Sequence, residues 1–203
     1  MPPILASLVF RRLSVMPFSQ TSQLTPIVSW VEQLSPRSVL DIGIGMGQYG
    51  FLLRTKLESL NLFHIEGDKG WLRPRNEWKV RIDGIEGYAG YITPVQEWSY
   101  NRLLIGDALE CLQPLSDQTY ELVMAIDVLE HFDKADGLRL LAEMRRVASK
   151  AALVSTPKDF IHQDVPANPL ENHRSHWSLV DLQTAGYTEI IPNEESWIAI
   201  ARA

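Results

Sequence analysis

The stretch VLDIGIGMGQYG, Val39 to Gly50, sets one carboxylate, Asp41, just ahead of alternating glycines at Gly43, Gly45 and Gly47. Glycines there admit a tight turn and let bare backbone approach a ligand closely. Read from Gly45, the same run spells Gly-x-Gly-x-x-Gly and closes at Gly50. That spacing seats a pyrophosphate at a helix N-terminus when an acid about 20 residues further on holds a ribose. Glu66, 21 residues after Gly45, has that separation, but it falls in an irregular stretch where the reading requires the end of a strand. Asp41 points the other way, because its charge at the end of an apolar strand repels a pyrophosphate and suits a cationic ligand. Further groups with chemistry to offer are Glu86 in DGIEGY, Asp107 in IGDALE, Asp127 and His131 in IDVLEHF, and Glu171, His173 and His176 in PLENHRSHW. Histidine titrates near neutral pH, so His131 first, and His173 or His176 second, are candidates to take a proton from a hydroxyl. The spacing of Glu171, His173 and His176 matches none of the strong zinc signatures, so no metal is expected there. They read instead as a hydrogen-bonding lip for a polar substrate, with Trp177 as an apolar wall. Cys111 is the single cysteine, which forms no internal disulfide and reads as a small buried hydrophobe.

These residues need strands that end at them. SVLDIG reads as a buried strand running into the glycines, and QYGFLLRTKLESL, with Leu53, Leu57 and Leu60 near helical spacing, as the helix that follows. KVRIDGIEGY, NRLLIG, YELVMAIDV and AALVSTP read as four more strands, the third of the chain passing into a short helix at DALECL. ADGLRLLAEMRRVAS and SLVDLQTAG read as helices, the second ending at Gly186, before YTEIIP and SWIAIARA pair as two strands with no helix between them. A helix with Pro26 in its first turn, ending before Pro36, precedes them all. The order predicts an α/β fold, a doubly wound, mostly parallel seven-stranded sheet with helices on both faces and the last strand antiparallel. Residues 61–81 keep neither period and read as an insertion, with Trp71, Arg75 and Trp78 either in a lid or in a small satellite core. The expected organisation is an arm over residues 1–20 and a single domain over 21–203.

The chain has 203 residues, 45% hydrophobic and 22% charged, the balance of a globular domain. A net charge of −6 repels phosphate backbones, so a nucleic-acid partner is disfavoured. ILASLVF is too short to span a bilayer, and no membrane association is expected. The first 31 residues carry Arg11 and Arg12, several serines and no acid, a composition faintly like a transit peptide, but a self-docking arm is the simpler reading. With one cysteine, a reducing, cytoplasmic setting is expected.

With these motifs in this order, the chain resembles the class I S-adenosylmethionine (SAM)-dependent methyltransferases, in their small-molecule branch, from about Gln20 to Ala203. The glycine motif VLDIGIGMG matches theirs at each defined position. The resemblance implies that Asp41, Gly43, Gly45 and Gly47 bind SAM, that Glu86 holds its ribose hydroxyls, and that Asp107, with Ala108 and Leu109, meets the adenine. It places Asp127 near the methionine part and His131 near the substrate. The gap from Gly47 to Glu86 is longer than the family's pattern, which makes the insertion a candidate cover for the site. No Asn-Pro-Pro-aromatic or Asp-Pro-Pro-aromatic run follows the fourth strand, as it does in the adenine- and amide-methylating relatives. The implied activity is methyl transfer from SAM to a small or medium polar acceptor at oxygen, nitrogen or carbon, releasing S-adenosylhomocysteine (SAH). Two alternatives stand beside it: an NAD(P)-dependent oxidoreductase using Glu66, and a module that binds SAM without turnover.

Overall fold

The computed structural model describes residues 19–160 and 162–203, so most of the expected N-terminal arm lies outside the described residues. After a single 3-10 turn, Thr21–Gln23, helix α1 covers Leu24–Leu34. Strand β1, Ser38–Ile42, runs into the glycine turn and helix α2, Gln48–Leu57. Strands β2, Phe63–Glu66, and β3, Lys69–Leu72, pair only with each other as an antiparallel hairpin. The chain then enters β4, Arg81–Glu86, helix α3, Pro94–Ser99, β5, Arg102–Ile105, and helix α4, Ala108–Leu112. Strand β6, Tyr120–Ile126, helix α5, Lys134–Val147, and β7, Ala148–Pro157, follow. Helix α6, Leu179–Thr184, and strands β8, Glu189–Ile191, and β9, Ser196–Arg202, complete the fold.

The large sheet has seven strands in the order β5-β4-β1-β6-β7-β9-β8. Pairings from β5 across to β7 are parallel, and β9, the last strand, is antiparallel to both neighbours. The predicted fold class is therefore the observed one. Parallel strands covered on both faces are apolar on both, and β1 and β6 show it. Leu40, Ile42, Val123 and Ala125 face one core with Leu140, Met144 and Leu182. Val39, Leu122, Met124 and Ile126 face the other with Ile27, Val31 and Leu53. Trp177 is fully buried in the first core, its ring occupying the space where a side chain on Gly137 would stand. It is a core residue, not the wall of a substrate lip.

The chain leaves β1 toward β4 on one side and returns to β6 on the other. The ends of β1 and β6 thus form a topological switch point, the place where open α/β sheets bind ligands. The hairpin of the 61–81 segment is held elsewhere. Arg75 donates to the carbonyls of Glu97 and Tyr100, and the buried Arg54 guanidinium stacks 4.4 Å from the Trp78 ring centre. Arg54 also donates to Ser99 O, Val80 O and Asn101 Oδ1, tying α2 to β4 and to the end of α3. This segment is a buttress on the α2–α3 side, and among the described residues none from 61 to 81 lines the main cavity. No helix among the described residues is long and apolar enough to cross a membrane.

Candidate active site

A cavity of about 740 Å³ opens at the C-terminal ends of β1, β4, β5 and β6, within the range of small-molecule sites. Its floor is the glycine turn. Gly43, Gly45 and Gly47 all have positive φ, at 70°, 49° and 79°, a left-handed region that side chains avoid. At Gly43 a side chain would also collide with Val128. The turn is fastened to the next strand: Gly43 N and Ile44 N both donate to Ile85 O, at 2.9 and 3.2 Å. Gly47 has turned away from the cavity to cap α2, and Gln96 packs 2.8 Å from where its Cβ would be, so its glycine serves packing.

Asp41 is nearly fully buried and accepts from the Tyr100 hydroxyl at 2.6 Å, while that hydroxyl accepts from Gly50 N at 3.1 Å. Burial pushes the Asp41 carboxyl up to about 7; the Tyr100 hydrogen bond opposes this and the nearby Glu86 charge adds to it. Glu86, at the end of β4, accepts from Gly45 N at 2.9 Å and Tyr88 N at 2.8 Å, yet burial still raises it. Glu86 therefore locks the glycine turn as well as lining the cavity. Asp107 caps α4, accepting from Leu109 N and Glu110 N at 2.9 and 3.1 Å, and lines the cavity with Ala108. Leu109 packs toward the core instead, so of the three residues expected around an adenine only Asp107 and Ala108 reach the cavity.

Asp127 sits at φ 51°, a left-handed conformation that costs a non-glycine residue roughly 1–3 kcal/mol and clusters at functional sites. Its carboxylate accepts from Ser155 Oγ at 3.2 Å, from Gln20 N at 3.3 Å and from the Gln23 side-chain amide. The segment before α1 is thereby drawn over the cavity, and Ser19, Gln20 and Thr21 join its lining. Nothing in the sequence around them signals that role. Tyr49, in the helix that follows the glycines, also has a place in that lining. Its hydroxyl is buried without a hydrogen-bond partner, lines the cavity, and lies in the fields of Asp127 and Asp41. A buried hydroxyl left unmatched costs about 1–3 kcal/mol, which a ligand group would recover.

Beyond Asp127, a 3-10 turn, Leu129–His131, presents Glu130 and His131. Burial, and secondly the His173 charge, push His131 down to about 4, so its ring is neutral at pH 7. The His131 and His173 rings lie 5.1 Å apart at the cavity wall. His176 is not with them: it is exposed, its Nε2 lies 2.8 Å from Lys158 O, and it does not line the cavity. Its neighbours Ser175 and Trp177 are both buried, which leaves His176 on the outer side. Glu171 does line the cavity.

Acidic groups dominate the lining, and burial raises Asp41, Glu86, Asp127, Glu130 and Glu171 above the ordinary carboxylate range. Among the described residues, Asp41, Glu86, Asp107, Asp127, Glu130, Asp133, Asp136 and Glu171 contribute eight carboxyls to it against the single guanidinium of Arg174. Among the described residues neither Asp41, Glu86, Asp127 nor Glu130 takes part in an ion pair. Glu66, which a dinucleotide site would need beside the glycines, stands exposed on β2 opposite Lys69.

No protein-family model and no curated protein sequence matches the chain. Solved structures do. A SAM-dependent methyltransferase from Archaeoglobus fulgidus superposes with a TM-score of 0.56 at 15% identity, over 87% of this chain and 93% of its own. One from Aquifex aeolicus gives 0.56 at 17%, over 91% and 94%. The magnesium protoporphyrin IX methyltransferase of Synechocystis PCC 6803, with bound SAH, gives 0.55 at 15%, over 89% and 82%. The likeness is one of fold: the chain has the architecture of the SAM-dependent methyltransferases.

Proposed function

We propose that this protein transfers the methyl group of SAM to a small or medium polar acceptor and releases SAH. The observation that carries this reading is the eight-to-one excess, among the described residues, of carboxyls over guanidinium around a turn whose Gly43 has no room for a side chain. SAM has an ammonium, a sulfonium and no phosphate, whereas a nicotinamide dinucleotide brings a pyrophosphate that these carboxyls repel. Asp41 and the unmatched Tyr49 hydroxyl suit the amino-acid part, Glu86 the ribose hydroxyls, and Asp107 with Ala108 the adenine end. Asp127 stands between the donor and the histidines.

SAM supplies a methyl carbon already activated by its sulfonium, so the chain's own residues chiefly align the acceptor and exclude water. The segment from Ser19 to Thr21 covers the cavity and keeps water out. His131, neutral at pH 7, stands at the acceptor end of the cavity and is too weak a base to deprotonate a hydroxyl, so it helps to position the acceptor and does not take its proton. The net charge of −6 favours a small molecule over a nucleic acid as acceptor. A single cysteine suits a reducing, cytoplasmic setting.

The test is SAH formation from SAM across a panel of small oxygen, nitrogen and carbon acceptors. At least one acceptor should give SAH in excess of the protein, and His131→Ala should lower that rate while leaving SAH binding intact. Binding of SAM without SAH formation from any acceptor would support the non-catalytic module instead.

A further inference from the structure

The local spacing of Glu171, His173 and His176 holds no metal signature, but the fold assembles a different set. Glu130, His131 and His173 each offer one ligand atom, and these atoms all lie within 4.8 Å of one another. Ligands sharing one ion at 2.0–2.2 Å lie about 3–4 Å apart, so small side-chain rotations close the set. Backbone bonds hold the two segments together: Arg174 N and Ser175 N donate to Glu130 O at 2.8 and 3.1 Å, and His173 N donates to Gln163 O at 3.1 Å.

The surroundings orient the ligands as metal sites require. Thr156 Oγ1 donates to Glu130 Oε2 at 3.1 Å. His131 Nδ1 lies 3.3 Å from Asn172 O, and in the tautomer that donates to this carbonyl Nε2 keeps the lone pair that a metal needs. The three residues line the acid-rich cavity, with Asp127 beside them. Three protein ligands facing a cavity leave coordination positions open.

We infer that Glu130, His131 and His173 form a binding site for one divalent first-row metal ion, of the zinc, cobalt and manganese type. Two imidazoles with one carboxylate favour such ions over magnesium or calcium, which prefer oxygen ligands throughout. The site lies at the end of the cavity assigned to the acceptor, an assignment that rests on the methyl-transfer reading; the ligand set itself does not.

Protein freed of metal by chelator dialysis, titrated calorimetrically with Zn²⁺ and Mn²⁺ and followed with Co²⁺ by visible absorption, tests the inference. One ion should bind per chain, with a Co²⁺ spectrum showing nitrogen ligation and with Mg²⁺ competing poorly. His173→Ala and Glu130→Gln should each weaken binding at least tenfold, and His176→Ala should leave it unchanged. Equal losses in His176→Ala and His173→Ala, or Mg²⁺ displacing Zn²⁺ at comparable concentration, would overturn the inference. SAH affinity in the same samples reads the donor site separately and checks the fold of each variant. SAH binding without metal binding defeats the metal site alone, and metal binding without SAH binding defeats the methyl-transfer reading alone.

Discussion

Asp41 should make ligand binding depend on pH across neutrality. Its carboxyl, pushed up to about 7 by burial with Glu86 nearby, is largely protonated in the free protein below that value. For a group with this pKa, the ionised fraction is about one part in eleven at about pH 6 and about ten in eleven at about pH 8. A cationic ligand that needs the ionised form should therefore bind about tenfold more tightly at the higher pH. The sign follows from the shift: the free fold favours the protonated acid, so its stability contribution is present near pH 4 and lost as pH rises through about 7, and the ligand's charge reverses that loss. Asp41→Asn keeps an oxygen to accept from Tyr100 but removes the charge. At about pH 8 it should weaken SAH binding roughly 10- to 100-fold, the worth of a hydrogen bond to a charged group. Calorimetric titration of both proteins at the two pH values separates the ligand's own titration, common to both, from that of Asp41. Superimposable pH dependences in wild type and Asp41→Asn would refute the reasoning.

Three other variants probe the same structure. Tyr49→Phe removes a buried hydroxyl without a partner, so denaturant unfolding of the free protein should show equal or higher stability, by up to about 1–3 kcal/mol, while SAH affinity falls several-fold. Gly43→Ala adds a side chain at φ 70° that collides with Val128; SAH binding should drop at least tenfold, about 1.4 kcal/mol or more, measured against far-UV dichroism as a check of folding. Arg54→Met removes the side-chain donor to Val80 O, Ser99 O and Asn101 Oδ1 and the ion-pair partner of the buried Glu58 carboxylate, and should cost roughly 3–5 kcal/mol in a urea titration with no direct effect on SAH affinity of the folded protein.

Much of this was legible in the chain. Continuous apolar runs such as YELVMAI mark strands buried on both faces, and an acid or glycine at the end of each run falls on one edge of the sheet because parallel strands all end there. Asp41, Glu86, Asp107 and Asp127 meet in one cavity for that reason. The β2–β3 hairpin was not legible, since three of the four residues of β2 and all four of β3 are exposed and no burial period marks them. Glu130 was hidden inside a motif read for its neighbours. His173 finds Glu130 and His131 some forty residues back along the chain, a pairing that tertiary folding makes and local spacing cannot show. Ser19 to Thr21 carry no periodicity or motif; their place follows from the reach of Gln20 and Gln23 to Asp127.

A glycine turn ringed by these acids should hold a methyl donor and refuse a dinucleotide. Calorimetric titration of wild type and Glu86→Ala with SAH and with NADH tests it most directly. One SAH should bind saturably per chain, at least tenfold more weakly in Glu86→Ala, and NADH should give no saturable heat. NADH binding in preference to SAH, or SAH binding indifferent to Glu86, would contradict it.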